Sequence, residues 1–329
     1  MRFSYVTFNK VGGVSGHTES NIFRPMAHKW ISASLSIADV VFLLIERTAE
    51  PFEFDEAAFG FVTEHRLPLV VLDYWEGVAW QDASPERAKL SKAMGNYERI
   101  VCYFRRELEV GFDNPYKHPV FPLDFAIPRQ GNLTMDFAKQ YDNRPTDILM
   151  AWGYSNVDRP HMHAELFKRH SRFSPTIPAL TKEDVYHYWN NGQRCPLALL
   201  HLPEYRRIPM TTLLGIQRHA KVSVSLSGNG TKCWRNAEAA CNSLLAQQAP
   251  DVVQWSYPWI ADHNCIGLPN IAGTGGLDVP RAAEVLEHKI VMDHGSLHHL
   301  YVQCVQNANH YFSDRYAGEY IIPKVEACL

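Results

Sequence analysis

A chain of 329 residues is too long for a single core of ordinary size, so two domains are expected. With 46% hydrophobic and 20% charged residues the composition is globular and excludes a largely disordered chain. A formal charge of -3 excludes a general electrostatic grip on nucleic acid, although not a local basic patch.

In chain order, Phe3 to Phe8 predicts a short apolar strand, and MRFSYVTFNK lacks the long apolar core of a signal peptide. A glycine-containing turn follows, Val11-Gly12-Gly13-Val14-Ser15-Gly16-His17, and then a helical stretch over Arg24 to Ser36. Asp39 to Ile45 predicts a buried strand, Phe54 to His65 a helix, and Pro68 to Leu72 a second buried strand ending at Asp73. Arg87 to Met94 reads as helical and Arg99 to Phe104 as a strand. Apolar strands separated by helix-length segments indicate parallel βαβ units, whose sheets are covered on both faces.

The stretch from Asp113 to Asn143 carries Pro115, Pro119, Pro122 and Pro128 and predicts a linker with its extended approach. The α/β rhythm then restarts. Strands are expected at Asp147 to Trp152, Leu197 to Leu202, Lys221 to Leu226 and Val252 to Trp255. Helices are expected at Pro160 to His170, Thr211 to Gln217, Ala237 to Gln247, Ala282 to Asp293 and Leu297 to Asn309. The expected division is a first domain over 1–125, a linker over 126–145, a second domain over 146–310, and a terminal helix over 311–329 that crosses back to the first. No apolar run reaches the roughly 20 residues that span a bilayer. Seven scattered cysteines without a CxxC pair suit reduced thiols, so the cytoplasm is the expected compartment.

The most informative segment runs from Val222 to Ala239. A buried strand ends in a loop holding Gly228 and Gly230, and a helix begins just beyond. Ligands of open α/β sheets sit off the carboxyl ends of strands, where glycines let the backbone approach a phosphate and a helix start offers N–H groups. Lys232 and Arg235 are placed to neutralise a diphosphate, and Glu238, one turn after Arg235, to accept ribose hydroxyls. An ordinary βα connection with an exposed basic pair reads the same way, and the G-x-G-x-x-G spacing is broken by Cys233.

The run S-x-S-x-x-G-x-G-x-K-x-x-R-x-x-E-A, from Ser223 to Ala239, resembles the donor-binding segment of GT-B glycosyltransferases, group 1 among them. Asp147 to Gly153, followed by Arg159, resembles the opening strand of that family's second domain, with Gly153 beside the donor; Pro122 to Phe125 resembles the entry to its interdomain linker. The resemblance implies two Rossmann-like domains facing a cleft. It implies a nucleoside diphosphate sugar donor, of the UDP type, and transfer to an acceptor hydroxyl without an essential metal ion. Gly153, Arg159, Gly228, Gly230, Lys232, Arg235 and Glu238 are then the donor-binding set. The Gly13, Ser15 and His17 turn is a candidate donor or acceptor loop. Asp262 and Asn264, after the aromatic stretch Trp255 to Trp259, are further candidate contacts.

One departure bears on mechanism. Where many retaining members carry the first glutamate of E-x7-E, this chain has Gly230, which leaves a retaining mechanism unsupported. The R-x-x-E arrangement is instead similar to that of phage DNA β-glucosyltransferases, which invert. An inverting transfer needs a base for the acceptor hydroxyl. Asp73, at the end of a buried strand of the first domain, is the candidate, with Glu76, Glu46 and His17 as rivals and a turn-capping role as the alternative. The similarity makes a hydroxymethylated pyrimidine in phage DNA a candidate acceptor. Arg99, Arg105, Arg106 and Lys117, interleaved with Tyr97, Tyr103, Phe104 and Trp75, offer a nucleic-acid path. His161-Met162-His163 lies at a helix start, where residues two apart face differently, and is not read as a metal site. The competing function is a nucleotide-binding or interaction protein that keeps the fold without the chemistry. A dehydrogenase is disfavoured because the first βα turn lacks the dinucleotide spacing.

Overall fold

The structure, a computed structural model, describes residues 1–7, 35–45, 56–74, 92, 94–114, 116–125, 141–144, 146–150, 158–173, 200–201, 210–227, 232, 234–248, 253–292, 294–311 and 316–329. The chain forms two compact units. Met1–Arg129, Val252–Pro258 and His310–Leu329 make the first, and Gln130–Asp251 with Trp259–Asn309 make the second.

In the first unit, β1 (Phe3–Thr7), β2 (Val40–Ile45), β3 (Leu69–Asp73), β4 (Ile100–Arg105) and β5 (Val120–Pro122) form a parallel sheet in sequence order; α1 (Glu56–Glu64) joins β2 to β3. Every residue of β2 and β3 is buried, which explains their unbroken apolar sequences. One face packs Val41, Leu43, Leu69, Val71 and Tyr103 against Phe59 and Val62 of α1. The prolines around β5 had pointed to a linker. Proline suits this place because β5 is a three-residue strand at the sheet's edge.

In the second unit, the described strands are β6 (Thr146–Met150), β7 (Leu200–His201), β8 (Ala220–Ser225), β9 (Leu244–Gln248) and β10 (Ile266–Leu268). They are parallel, in the order β10-β9-β8-β6-β7. Helices α2 (Asp158–Phe173), α3 (Met210–Arg218), α4 (Trp234–Ala240), α5 (Val279–Met292) and α6 (His294–Tyr311) complete it. The helix expected to run to Gln247 stops at Ala240, and Leu244 to Gln247 belong to β9 instead. Leucine, alanine and glutamine favour a helix, but β9 is an interior strand between β10 and β8, buried throughout, and tertiary burial decides. Val253, expected within a strand, makes only an isolated antiparallel bridge to Glu109.

Part of the expected linker is firmly packed in the second unit. Arg144 donates to the carbonyls of Ala220 (2.7 Å) and Asn242 (2.9 Å) and to the Tyr301 hydroxyl (2.6 Å). Its guanidinium lies over the Tyr141 and Tyr301 rings, themselves stacked at 4.3 Å. At the chain's end a π-helical turn, Ala317–Ile321, leads into α7 (Ile322–Cys328), which packs on β4 of the first unit. Among the described residues no helix is long and apolar enough to cross a membrane.

Candidate functional site

The strand order of the second unit reverses between β6 and β8: the chain leaves β6 for β7 on one side, then returns past β6 to β8 on the other. At such a reversal the loops leaving two neighbouring strands diverge, and a crevice opens off their carboxyl ends. The segments at this edge are tied to one another. Arg159, in the first turn of α2, donates from Nη2 to the carbonyl of Leu226, which follows β8 (2.9 Å). Gln248, the last residue of β9, accepts the Ser227 N–H at Oε1 (3.3 Å) and donates from Nε2 to Asn270 Oδ1 (3.1 Å) and the Gly275 carbonyl (3.2 Å). Asp158 accepts the Leu277 N–H (3.1 Å). Gly273 and Gly275 have φ of +76° and +69°, so the segment after β10 needs glycine there. Gln248, Asn270 and Asp158 carried no sequence motif; the strand-end positions of Gln248 and Asn270 and the helix-start position of Asp158 are the signals that could have found them.

Beneath this edge lies a buried polar relay. Ser225 donates to Asn236 (3.1 Å), Asn236 donates to Gln247 (2.5 Å), and Gln247 reaches Cys265 Sγ (3.9 Å). It fixes α4 against β8 and β9, and it accounts for the polar residues that interrupt these strands.

The expected donor residues fall unevenly. Gly153, Gly228 and Gly230 lie outside the described residues, as do Gly13, Ser15 and His17; so do Trp75 and the rival bases Glu46 and Glu76. Arg235 stands on α4. Glu238 is on the same helix and buried, 6% exposed. Arg159 is buried as well and donates to the Leu226 carbonyl, so the structure gives it a role in joining the start of α2 to the segment after β8. Lys232, expected to neutralise the diphosphate, is 0% exposed, which sets aside the alternative of an exposed basic pair; an ammonium so enclosed is held by protein groups. Asp262 and Asn264, the further candidate contacts, stand elsewhere in the unit. They precede β10 and so lie at the amino edge of the sheet, away from the segments after β8. There Asn264 Oδ1 caps the Ile260 N–H (2.7 Å), and Asp262, at φ +60°, pairs with Lys289 in the last turn of α5 (3.4 Å).

In the first unit, Asp73 ends β3 at the carboxyl edge, as its strand position required. It is 1% exposed, and its Oδ2 accepts the Tyr103 hydroxyl at 2.5 Å. The same edge holds Arg105, Arg106, Glu107 and Asp124, all buried. Arg106 pairs with Glu107 (3.2 Å), donates to the Tyr74 carbonyl (3.3 Å) and lies over the Phe125 ring. Asp124 accepts the Ser256 N–H (2.7 Å), while Tyr316 OH stands 2.9 Å from the Asp124 nitrogen and 2.6 Å from Ser256 Oγ. Burial, and then the Asp124 charge, hold the Tyr316 phenol well above its ordinary pKa, so it acts here as a neutral hydroxyl. Arg105 and Arg106, with Tyr103 and Phe104, cannot line a solvated nucleic-acid path because all four are buried. Among the described residues no group of three or more metal-ligating side chains comes together.

No family model matches the chain, and no curated protein matches it in sequence. Solved structures do match in fold. The N-terminal domain of Candida albicans trehalose-6-phosphate phosphatase aligns over 93% of this chain and 72% of its own, at 8% identity and TM-score 0.54. A structure described as trehalose-6-phosphate from E. coli bound with UDP-2-fluoro glucose aligns over 98% and 92%, at 9% identity and TM-score 0.52. Anabaena HepE, in complex with UDP and glucose, aligns over 88% and 78%, at 11% identity and TM-score 0.50. The chain spans 57% of the matched chain of a GtfA/B complex. Two parallel α/β units and this set of neighbours give one result: the chain has the GT-B fold of glycosyltransferases.

Proposed function

We propose that the chain is a glycosyltransferase that takes a sugar from a nucleoside diphosphate, of the UDP type, and passes it to an acceptor hydroxyl. The observation that carries this reading is the reversal between β6 and β8, with the segments leaving the strands there bound to one another by Arg159 and Gln248. Neighbours of the same fold were solved with UDP, glucose or a UDP-sugar bound.

In this reading the backbone after Ser227 and the Arg235 side chain hold the diphosphate, and Glu238 takes the ribose. Arg159 and Gln248 act as positioning residues that fix the segment leaving β8. Positive charge and N–H groups at a leaving diphosphate supply the stabilisation that a metal gives elsewhere. Asp73 is the proposed base for an inverting transfer, with Tyr103 orienting its carboxylate. A hydroxymethylated base in DNA rests only on the R-x-x-E similarity, and the burial of Arg105 and Arg106 speaks against a nucleic-acid path on that edge.

The enclosure of Asp73 favours a second reading, a nucleotide-sugar binder without transfer. Titration with a panel of nucleotide sugars, followed by thermal melting, tests the first step. A bound donor at a hundredfold excess over its Kd should stabilise the fold by about 2.7 kcal/mol, and Glu238→Gln should weaken that response. Slow hydrolysis of the same donor, lost in Asp73→Asn with binding retained, separates the transferase from the binder.

A further inference from the structure

The basic and aromatic residues of the first unit that suggested a nucleic-acid path divide between its two edges. Arg105 and Arg106 are buried at the carboxyl edge, whereas Tyr97, Arg99 and Lys117 line a cavity of about 1020 Å³ at the amino edge, where Pro68, Arg99 and Pro119 lead into β3, β4 and β5. Asp73 stands at the opposite, carboxyl ends of these strands, and Tyr103, whose hydroxyl it accepts, closes the inner end of the cavity. One wall is a ladder of aromatic rings running outward from the core: Tyr103 against His118 (6.3 Å, 21°) and His118 against Tyr116 (5.1 Å, 19°). Tyr103 is fully buried, His118 is half-buried, and Tyr116 remains partly exposed at the rim. Burial lowers the His118 pKa, so the middle ring is neutral near pH 7 and the ladder is an uncharged stacking wall.

The cations stand beside this wall. Lys117 sits between Tyr116 and His118 in the chain and is exposed. Arg99 is exposed too and spends one N–H on the Arg66 carbonyl (2.7 Å) rather than on a carboxylate. Arg66 and Arg99 both act on the Tyr97 phenol, opposing the rise that burial gives it, so positive charge gathers on this side of the cavity. Glu98 is the acidic side chain on the rim. A volume of this order suits a single small ligand rather than a polymer strand.

We propose that this cavity binds a nucleoside monophosphate, its base stacking on the wall that ends in Tyr116 and its phosphate meeting Lys117 and Arg99. Aromatic faces bind bases of any sequence, and neighbouring cations bind the phosphate. The inference does not depend on the donor site of the second unit.

Equilibrium dialysis of the full chain with adenosine 5′-monophosphate tests it. Tyr116→Ala and Lys117→Glu should each weaken binding at least tenfold. Tyr116→Phe should keep it, and so should Glu238→Gln in the second unit. Adenosine and ribose 5-phosphate should each bind at least tenfold more weakly than the nucleotide, since each lacks one half of the recognition. Both tested side chains reach the surface, so melting curves close to the parent's are expected; if Tyr116→Ala does not fold, Lys117→Glu alone decides. No binding at millimolar nucleotide overturns the proposal. Binding that ignores both variants, or that only Glu238→Gln removes, overturns it as well.

Discussion

The carboxyl edges of the two sheets are built from different chemistry. In the first unit the edge is closed by buried charge: Asp73, Arg105, Arg106, Glu107 and Asp124 are each at most 5% exposed, with Asp73 bonded to Tyr103, Asp124 to Ser256 and Arg106 to Glu107. In the second unit the corresponding segments are joined through amides and carbonyls, with Gln248 and Arg159 at the centre. Buried charges with fixed partners are costly to disturb, because losing one partner strands the other in a poor solvent. Amide ties cost less, yet they set where backbone N–H groups stand. The first edge is therefore expected to weigh more on stability and, under the proposed function, the second on donor binding.

The largest effect is expected from Asp124→Ala. It removes the acceptor of the half-buried Ser256 N–H and uncouples 253–258 from the segment after β5, at a cost of about 3 kcal/mol in equilibrium denaturation. Asp124→Asn, which keeps an acceptor oxygen, should recover about half of that loss. Tyr316→Phe comes next, at about 1 to 2 kcal/mol, because it deletes a hydroxyl that meets both the Asp124 N–H and Ser256 Oγ.

Gln248→Ala should reverse the balance. Its expected stability loss is about 1 kcal/mol, while UDP-glucose affinity in calorimetric titration falls by about tenfold or more. A variant that lost stability but bound the donor normally would erase the distinction between the edges.

A smaller effect is expected from His118. Burial holds its folded pKa below the ordinary 6.5, so the unfolded chain takes up the proton first. Stability should then fall as pH drops below about 6.5, until the folded pKa is reached. His163 and His219 of the second unit share that direction. His118→Gln should flatten the first unit's share of the slope in urea denaturation between about pH 7.5 and 5.5. Least of all is the surface pair of Arg2 and Asp39, joined at 2.8 Å. Its hydrogen bonds to Arg2 lower the Asp39 pKa from 3.8 to about 2, so any contribution is present above 3.8 and is lost as pH falls toward 2. Salt should mask Arg2→Ala almost completely.

The buried runs Val40 to Ile45 and Leu69 to Asp73 were legible in the sequence because a strand covered on both faces leaves no polar alternation. The strand-end rule likewise drew attention to Asp73 and to the segment after Ser225. What was misread has physical causes. β9 is made of residues that favour helices, β5 is hedged with prolines, and β10 is three residues long, Ile-Gly-Leu, too short to show a period. Arg105 and Arg106 were read as part of a solvated basic path because composition says nothing of burial. The roles of Asp124 and Gln248 depend on partners such as Ser256, 132 residues away, and Asn270, 22 away. No local pattern carries that information.

The central claim is that the carboxyl edge at the β6 and β8 reversal holds an activated sugar by its diphosphate. The most direct measurement is a crystal structure of the chain grown with UDP-glucose. The account predicts electron density for both phosphates against the backbone that follows Ser227, with the ribose at Glu238. Density for the nucleotide elsewhere, or none at saturating ligand, would contradict it.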